Sequence, residues 1–264
     1  MKTLLIGNTS YITKEFINTA FPSSSVFIFG PTELKTSKKS NITVFSTHIR
    51  ENLIEEVFES YEFDQIVYLS NSLTYKNKDV GELEYLQSVL TYINDHKDLK
   101  FIYLTGPETE NHEQVISRMA QGLCLNWENH SSVSVKVLQS PYFYSATNPH
   151  DYLYQIFQAI EQGEALEFPE PKKQIANFIN LDDVADLLYK ILDSWEAGTE
   201  LLAIENPFQI TYENFVQSLN DLSTTEGYHL GFKDMSQEQI VYVNRYDRVI
   251  RHRYGWLIRH SIVD

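Results

Sequence analysis

The sequence predicts an α/β fold, a doubly wound parallel sheet with a small C-terminal cap. Two observations predict it. Runs such as LLIG, VFIF, IVYL and FIYL are apolar without alternation, the pattern of strands buried on both faces. Stretches of helical period separate them, so each parallel strand has a crossover helix to return the chain.

Taken in order, Thr3–Ile6 reads as the first strand and Thr13–Ala20 as the helix after it. Ser25–Phe29 and Asn41–Phe45 are the second and third strands, and Glu51–Tyr61 is a helix. Gln65–Leu69 is a short buried strand before the helix Glu82–Asn94. Lys100–Leu104 is a strand, His112–Glu128 a long helix and Val133–Leu138 the sixth strand. Residues 1–140 thus form the core of the sheet. After Pro141 the pattern changes. Asp151–Gln162 reads as a helix that Gly163 ends. Glu164–Gln174, containing PEPKK, reads as a loop at a domain edge, and Ile175–Leu181 as extended. Asp182–Trp195 is a helix, Leu201–Ile204 a strand and Thr211–Leu222 a helix. Residues 141–264 are therefore a mixed segment that completes the core and forms the cap. Asp182 and Asp183 read as the start of a helix, where acids are favoured.

Composition narrows the function. With 264 residues the chain buries a substantial core. Its net charge of −15 repels nucleic acid and anionic lipid, which excludes both as general partners. The one cysteine, Cys124, precludes an internal disulfide and fits a reducing compartment. Beside Met119, Leu123 and Trp127 it reads as a buried structural thiol. No apolar run is long enough to cross a bilayer, and MKTLLIGNTSYI turns polar after Gly7, as a first strand does. The expected location is the cytoplasm, without membrane insertion. The eight histidines are scattered, so no metal site is expected. Gly-x-Ser-x-Gly, Walker and His-Glu-x-x-His motifs are absent. Five arginines crowd the end of the chain, at Arg245, Arg248, Arg251, Arg253 and Arg259. They suit either an anionic ligand or the protein's own carboxylates.

Five segments in order resemble the extended short-chain dehydrogenases, the NAD-dependent nucleotide-sugar epimerases and dehydratases. LLIGNTSYITKEFI is similar to their dinucleotide turn. DQIVYLSNS resembles their fourth strand, KFIYLTG the strand ending at the catalytic hydroxyl, ANFINLDDVADLLYKIL the substrate-domain strand and helix, and DRVIRHRYGW their terminal element. The resemblance spans nearly the whole chain and implies a Rossmann-like core. It also implies cofactor contacts at Gly7, Ser10, Tyr11 and Ile12.

The resemblance is degenerate at each site. A dinucleotide turn needs three glycines, for the turn, the phosphate approach and the helix contact. Here those positions read Gly7, Ser10 and Thr13, and Ser10 or Thr13 suits a helix cap. The ribose acid at the end of the second strand is replaced by Gly30, with Glu33 beyond it, and His48 stands at the adenine position. The family uses a Tyr-x-x-x-Lys pair as its proton relay. Between Tyr103 and Tyr142 there is no tyrosine, although the chain has 17. Ser117–Arg118 matches the Ser-Lys pair, which puts Gln114 in place of the phenol. The hydroxyl position falls on Gly106 or Pro107, with Thr105 adjacent. Gln139 and Ser145 replace the substrate-side arginine and glycine, and Asn177 and Asn180 stand near them.

The expectation is a catalytically inactive epimerase-like domain, a pseudoenzyme with no catalytic residues, serving as a binding, regulatory or scaffolding module. No cofactor is expected, or at most weak NAD(P) binding. The setting implied by the resemblance is a longer bacterial protein of exopolysaccharide or cell-envelope synthesis. Its partners would be another protein or covalently linked further domains, a nucleotide-sugar ligand, and a second copy through the helix His112–Glu128. The alternatives are a divergent NAD(P)-dependent nucleotide-sugar enzyme with an unrecognised acid or base, and a nucleotide-sensing domain.

Overall fold

The computed structural model describes residues 1–32, 34, 41–45, 51–73, 81–106, 113–129, 131–145, 152–168, 172–173, 176, 178–204, 210–222, 229–232 and 248–260. Glu33, His48, Pro107, Asn177 and Arg245 lie outside them, as do the side chains of Gln114 and Arg248.

The first part of the chain alternates strand and helix. It runs β1 (Lys2–Gly7), α1 (Lys14–Ala20), β2 (Ser25–Phe29), β3 (Ile42–Val44), α2 (Glu51–Ser60), β4 (Gln65–Leu69), α3 (Glu82–Tyr92), β5 (Lys100–Thr105), α4 (Glu113–Asn126) and β6 (Ser134–Gln139). The second part holds β7 (Tyr142–Tyr144), α5 (Tyr152–Gln162), β8 (Ala165–Phe168), β9 (Phe178–Asn180), α6 (Leu181–Asp193), β10 (Glu200–Ala203), α7 (Tyr212–Leu222), β11 (His229–Phe232) and α8 (Arg248–Tyr254).

Seven strands form one sheet in the order β10-β6-β5-β4-β1-β2-β3. Every pairing in it is parallel. This is the doubly wound α/β sheet the alternation predicts. The strand order reverses between β1 and β4, the point at which sheets of this kind place their ligand crevice, beyond the strand ends. Side chains along each strand divide between two cores. Leu5, Ile28, Val67, Ile102 and Leu138 pack with α1 and α6 on one face. Leu4, Ile6, Ile66, Phe101 and Tyr103 pack with α3 and α4 on the other, where Cys124 is fully buried. A third core in the second part joins Leu153, Ile156, Phe178, Tyr212 and Phe215. No described helix is long and apolar enough to cross a membrane.

Two small sheets depart from the expectation. Ala165–Phe168 falls in the segment read as a loop but pairs in parallel with His229–Phe232. Tyr142–Tyr144 pairs likewise with Phe178–Asn180. Strands of three or four residues carry too little period to declare themselves.

The end of the chain is bound to the sheet by charge. Lys136 on β6 is 2% exposed, and its Nζ lies 2.6 Å from Glu200 Oε1 on the register-paired strand β10. Arg253 of α8 donates to both Glu200 oxygens at 2.6 and 2.7 Å. Arg259 lies 3.6 Å from Asp186. These two arginines thus meet the protein's own carboxylates.

Asp183 is a correction. It does more than begin a helix, because the Asn180 side chain caps α6 by accepting from the Asp182 N–H at 2.9 Å. Asp183 is 1% exposed and accepts the backbone N–H groups of Arg259 and His260, each at 3.1 Å. The Trp256 indole N–H donates to the Asp183 carbonyl at 3.0 Å. The carboxylate therefore anchors the last described turn of chain over the α6 core.

Two stability predictions follow from these charges. Burial alone would raise the Glu200 carboxyl, but hydrogen bonds from Lys136 and Arg253 outweigh it and hold the group below its ordinary value. Its contribution is complete above the unfolded carboxylate pKa and is lost as pH falls through the lower folded value. Glu200→Gln leaves Lys136 uncompensated and costs about 3 kcal/mol in urea unfolding at neutral pH, with a smaller cost in acid. Asp183→Ala orphans two backbone donors and costs about 2–3 kcal/mol in the same assay, while Asp182→Ala costs under about 1 kcal/mol.

Candidate functional site

The loop after β1 is held against β4. Gly7 has φ +98°, and a Cβ there would lie 2.3 Å from the Leu69 carbonyl oxygen, so only glycine fits. The Asn8 N–H donates to that carbonyl at 2.8 Å. Ser10, in the second glycine position, donates its hydroxyl to Asn8 Oδ1 at 2.9 Å. Thr13, in the third, caps α1 by accepting from the Phe16 N–H at 3.1 Å. The hydroxyls that replace the glycines are thus engaged within their own loop and the first turn of α1. The N–H groups of Ser10 and Tyr11 have no acceptor among the described residues.

Tyr11 and Ile12 are buried beneath this loop. The Tyr11 ring meets Phe143 edge-on at 5.2 Å. Its hydroxyl has no hydrogen-bond partner among the described residues. Burial, and then the Glu82 charge, push that phenol well above its ordinary pKa. At the end of β2, a Cβ on Gly30 would lie 2.2 Å from the Gly7 carbonyl oxygen. No acidic side chain can stand where the ribose acid of a dinucleotide fold stands.

Across the crevice, hydroxyls replace the expected relay. Thr105 Oγ1 lies 2.7 Å from Ser117 Oγ and 3.0 Å from Ser72 Oγ. Ser72 Oγ lies 2.8 Å from Ser70 Oγ and accepts the Gly106 N–H at 2.9 Å. The hydroxyl of the fifth strand is therefore Thr105, rather than a group at Gly106 or beyond. Among the described side chains of α4, Ser117, Ala120, Gln121 and Cys124 are buried and Ser117 meets this cluster, while Arg118 is exposed. The Gln139 amide nitrogen and the Ser140 hydroxyl, at the end of β6, are buried without partners among the described residues.

Ser70, Ser72 and Glu82 escaped the sequence reading. Glu82, 5% exposed, begins α3 and accepts the Asn71 N–H at 3.0 Å and the Tyr103 hydroxyl at 2.9 Å. A serine pair spaced by one residue after a buried strand was the available signal for the first two. Glu82 looks like an ordinary first-turn acid. Among the described residues no cluster of three metal-ligating side chains occurs.

No protein-family model matches this chain, and no curated protein matches it. Solved structures do. A dTDP-glucose 4,6-dehydratase of Bacillus anthracis in complex with NAD superposes with TM-score 0.75 at 12% identity, covering 100% of this chain and 93% of that one. A UDP-glucuronic acid 4-epimerase of Bacillus cereus with UDP-glucuronic acid and NAD gives 0.75 at 14%, covering 100% and 96%. A GalE-like L-threonine dehydrogenase of Cupriavidus necator gives 0.72 at 15%, covering 100% and 96%. The chain has the fold of the extended short-chain dehydrogenases.

The expectation of no cofactor is corrected by these structures. The extended short-chain dehydrogenase fold spans this whole chain, and two of the structures just described are complexes with NAD. The substitutions at Ser10 and Thr13 weigh less than the sequence implies. Their hydroxyls are tied down locally, and the Gly7 turn and two unbonded N–H groups remain.

An unpartnered buried hydroxyl destabilises the free protein. Tyr11→Phe is expected to raise thermal stability by about 1 kcal/mol without ligand, read by calorimetry. An unchanged or lowered midpoint would mean that the hydroxyl has a partner in the free protein.

Proposed function

We propose that this chain is an extended short-chain dehydrogenase-like domain that binds a dinucleotide or nucleotide sugar without the phenol-based turnover of that family. The inward face of α4 carries this reading. Among its described side chains the buried polar ones are Ser117 and Gln121, with the Cys124 thiol buried beside them. A serine hydroxyl and an amide hold no exchangeable charge near neutral pH. Burial, and then Glu82, push the Cys124 thiol well above its ordinary pKa.

Gly7, Ser10, Tyr11 and Ile12 would hold the ligand at the turn, with the Ser10 and Tyr11 N–H groups as donors. Gln139 and Ser140 would face it from β6. A bound dinucleotide supplies a hydride acceptor; this chain's residues bind and orient it. A binding, regulatory or scaffolding role beside another protein or further domains, in an envelope-polysaccharide setting, fits such a domain. Val115 and Met119, 52% and 53% exposed on α4, fit self-association through that helix.

The test combines binding with turnover. Purified protein is warmed with NAD, NADP or UDP-glucose, and small molecules it retains are identified by mass spectrometry. The expected result is a retained nucleotide, or a stabilisation of about 2.7 kcal/mol at a hundredfold excess over Kd, with no change in sugar or nicotinamide absorbance. Turnover of the sugar nucleotide would overturn the reading, as would indifference to all three compounds. A divergent enzyme is the second reading, favoured by one observation, the hydroxyl cluster of Ser70, Ser72, Thr105 and Ser117.

A further inference from the structure

We infer that copies of this chain associate head to tail, with the basic face around α8 of one copy against the acidic face of α2 on the next. The contact goes beyond the binding role proposed above and does not depend on it, because it uses neither the turn after β1 nor the hydroxyl cluster. It also differs from self-association through α4. That contact would set the same helix on both sides, whereas this one joins two different surfaces.

The basic face runs against the charge of the chain. Residues 245–264 hold five arginines and two acids, in a protein of net charge −15. Arg251 and His252 on α8 are exposed, and neither has an ion pair among the described residues. Arg259 pairs with Asp186, yet its side chain stays 67% exposed. Leu257, in the same arm, is 55% exposed, and Leu201 is exposed on β10, the strand at this edge of the sheet. Ile250, Tyr254 and Trp256 turn inward to the core beneath α6. The apolar side of α8 is therefore already buried, and its outward side is cationic.

The complementary face is α2. Residues 51–74 contain six acids and no lysine or arginine. The helix buries Ile54 and Val57 and leaves Glu55, Glu56 and Glu59 exposed, with Glu62 exposed just beyond it. None of these four glutamates has an ion pair among the described residues. Glu55 and Glu59 stand one turn apart, where like charges destabilise a helix until a cation meets them. Beside them Phe58 stacks on Tyr92 of α3 with ring centroids 5.5 Å apart, and Tyr92 is 36% exposed. An aromatic face flanked by carboxylates suits an arginine, whose planar guanidinium stacks on rings and pairs with acids.

Sheet topology keeps the two faces apart within one copy. α2 lies over β2 and β3, where Tyr61 and Phe63 just after it meet Phe27, and Tyr61 also meets Phe45. α8 packs against β10. β3 and β10 are the two ends of the seven-strand sheet. Six strand spacings of about 4.8 Å separate them by roughly 29 Å. That is well beyond a Debye length of about 8–10 Å, so neither face neutralises the other in the same copy. A second copy brings them together. Its overall negative charge opposes most approaches, and the approach that turns its basic end to the acidic end of its neighbour attracts. Each such contact leaves one face of each kind unused, so association continues into open chains or closes as a ring.

Sedimentation velocity on the protein without ligand tests the contact. At low salt the mean mass is expected to rise with concentration past that of a dimer. Raising salt from about 50 mM to about 500 mM is expected to weaken association by about tenfold or more. Glu55→Lys with Glu59→Lys gives a protein basic at both faces, and Arg251→Glu with His252→Glu removes the basic face. Each double variant is expected to stop the growth, with thermal melts confirming that it is folded, and an equimolar mixture of the two is expected to associate again. Met119→Glu on α4 leaves the salt-dependent growth in place. Wild-type protein of one fixed mass at every salt would overturn the inference. So would growth indifferent to salt, growth that survives both charge reversals, growth that Met119→Glu alone abolishes, or a mixture of the double variants that stays dissociated. Nucleotide retention by the same samples separately reports the binding role.

Discussion

The parallel ladder between β1 and β4 places Gly7 opposite Leu69, and the crevice depends on that contact. The Leu69 carbonyl occupies the space a side chain on residue 7 would need, and it also takes the Asn8 N–H. One carbonyl thereby fixes both the turn after β1 and the distance to the loop after β4. The next ladders, β4 to β5 and β5 to β6, extend the same edge, so Ser70, Thr105 and Gln139 stand level. The Ser70 N–H bonds the Leu104 carbonyl and the Ser140 N–H the Thr105 carbonyl, at 2.9 and 2.8 Å. Strand register brings Ser70 and Ser72, which follow β4, to Thr105 at the end of β5, and Ser117 reaches them from α4.

Buried charge is distributed with equal economy. Lys136 and Glu200 are paired across β6 and β10, and Arg253 completes that pair from α8. Asp183 meets backbone donors from the chain terminus, and Glu82 meets a backbone donor and a phenol. The three carboxylates differ in what they accept. Glu200 faces cations, which lowers its pKa and makes it a structural clamp. Asp183 accepts two main-chain N–H groups and lies 3.1 Å from the His260 imidazole Nδ1. Glu82 accepts from the buried Tyr103 phenol and the Asn71 N–H, which ties the loop after β4 and the middle of β5 to the first turn of α3.

Much of the fold was legible because long apolar runs and 3.6-residue periods survive sequence divergence. IVYL and FIYL could be little else than central parallel strands. The β8–β11 and β7–β9 pairs were not legible, since their partners are far apart in sequence and each strand is short. At the site, the loss of the second and third glycines was readable. The consequence was not, because sequence does not tell that Ser10 turns to Asn8 and Thr13 to the Phe16 N–H. The absence of a phenol on the helix after β5 was equally plain. The carboxylate behind it was hidden, because Glu82 stands in the first turn of α3 like a solvated helix-dipole partner, and only tertiary packing buries it.

Similarity of fold leaves the reaction open. The three neighbouring structures are a dehydratase, an epimerase and a dehydrogenase, at 12%, 14% and 15% identity. One sheet therefore hosts several outcomes, and the choice among them lies in the groups at its edge. Among the described residues of this chain those groups include the hydroxyls of Ser70, Ser72, Thr105 and Ser117 and the Gln139 amide, with the Glu82 carboxylate buried nearby. A phenol touching the ligand has to be brought into range by a nearby cation if it is to exchange protons near neutral pH. The loss of the lysine is then coupled to the loss of the tyrosine: once the phenol is gone, a charge at that turn of α4 has nothing to tune, and Arg118 faces solvent.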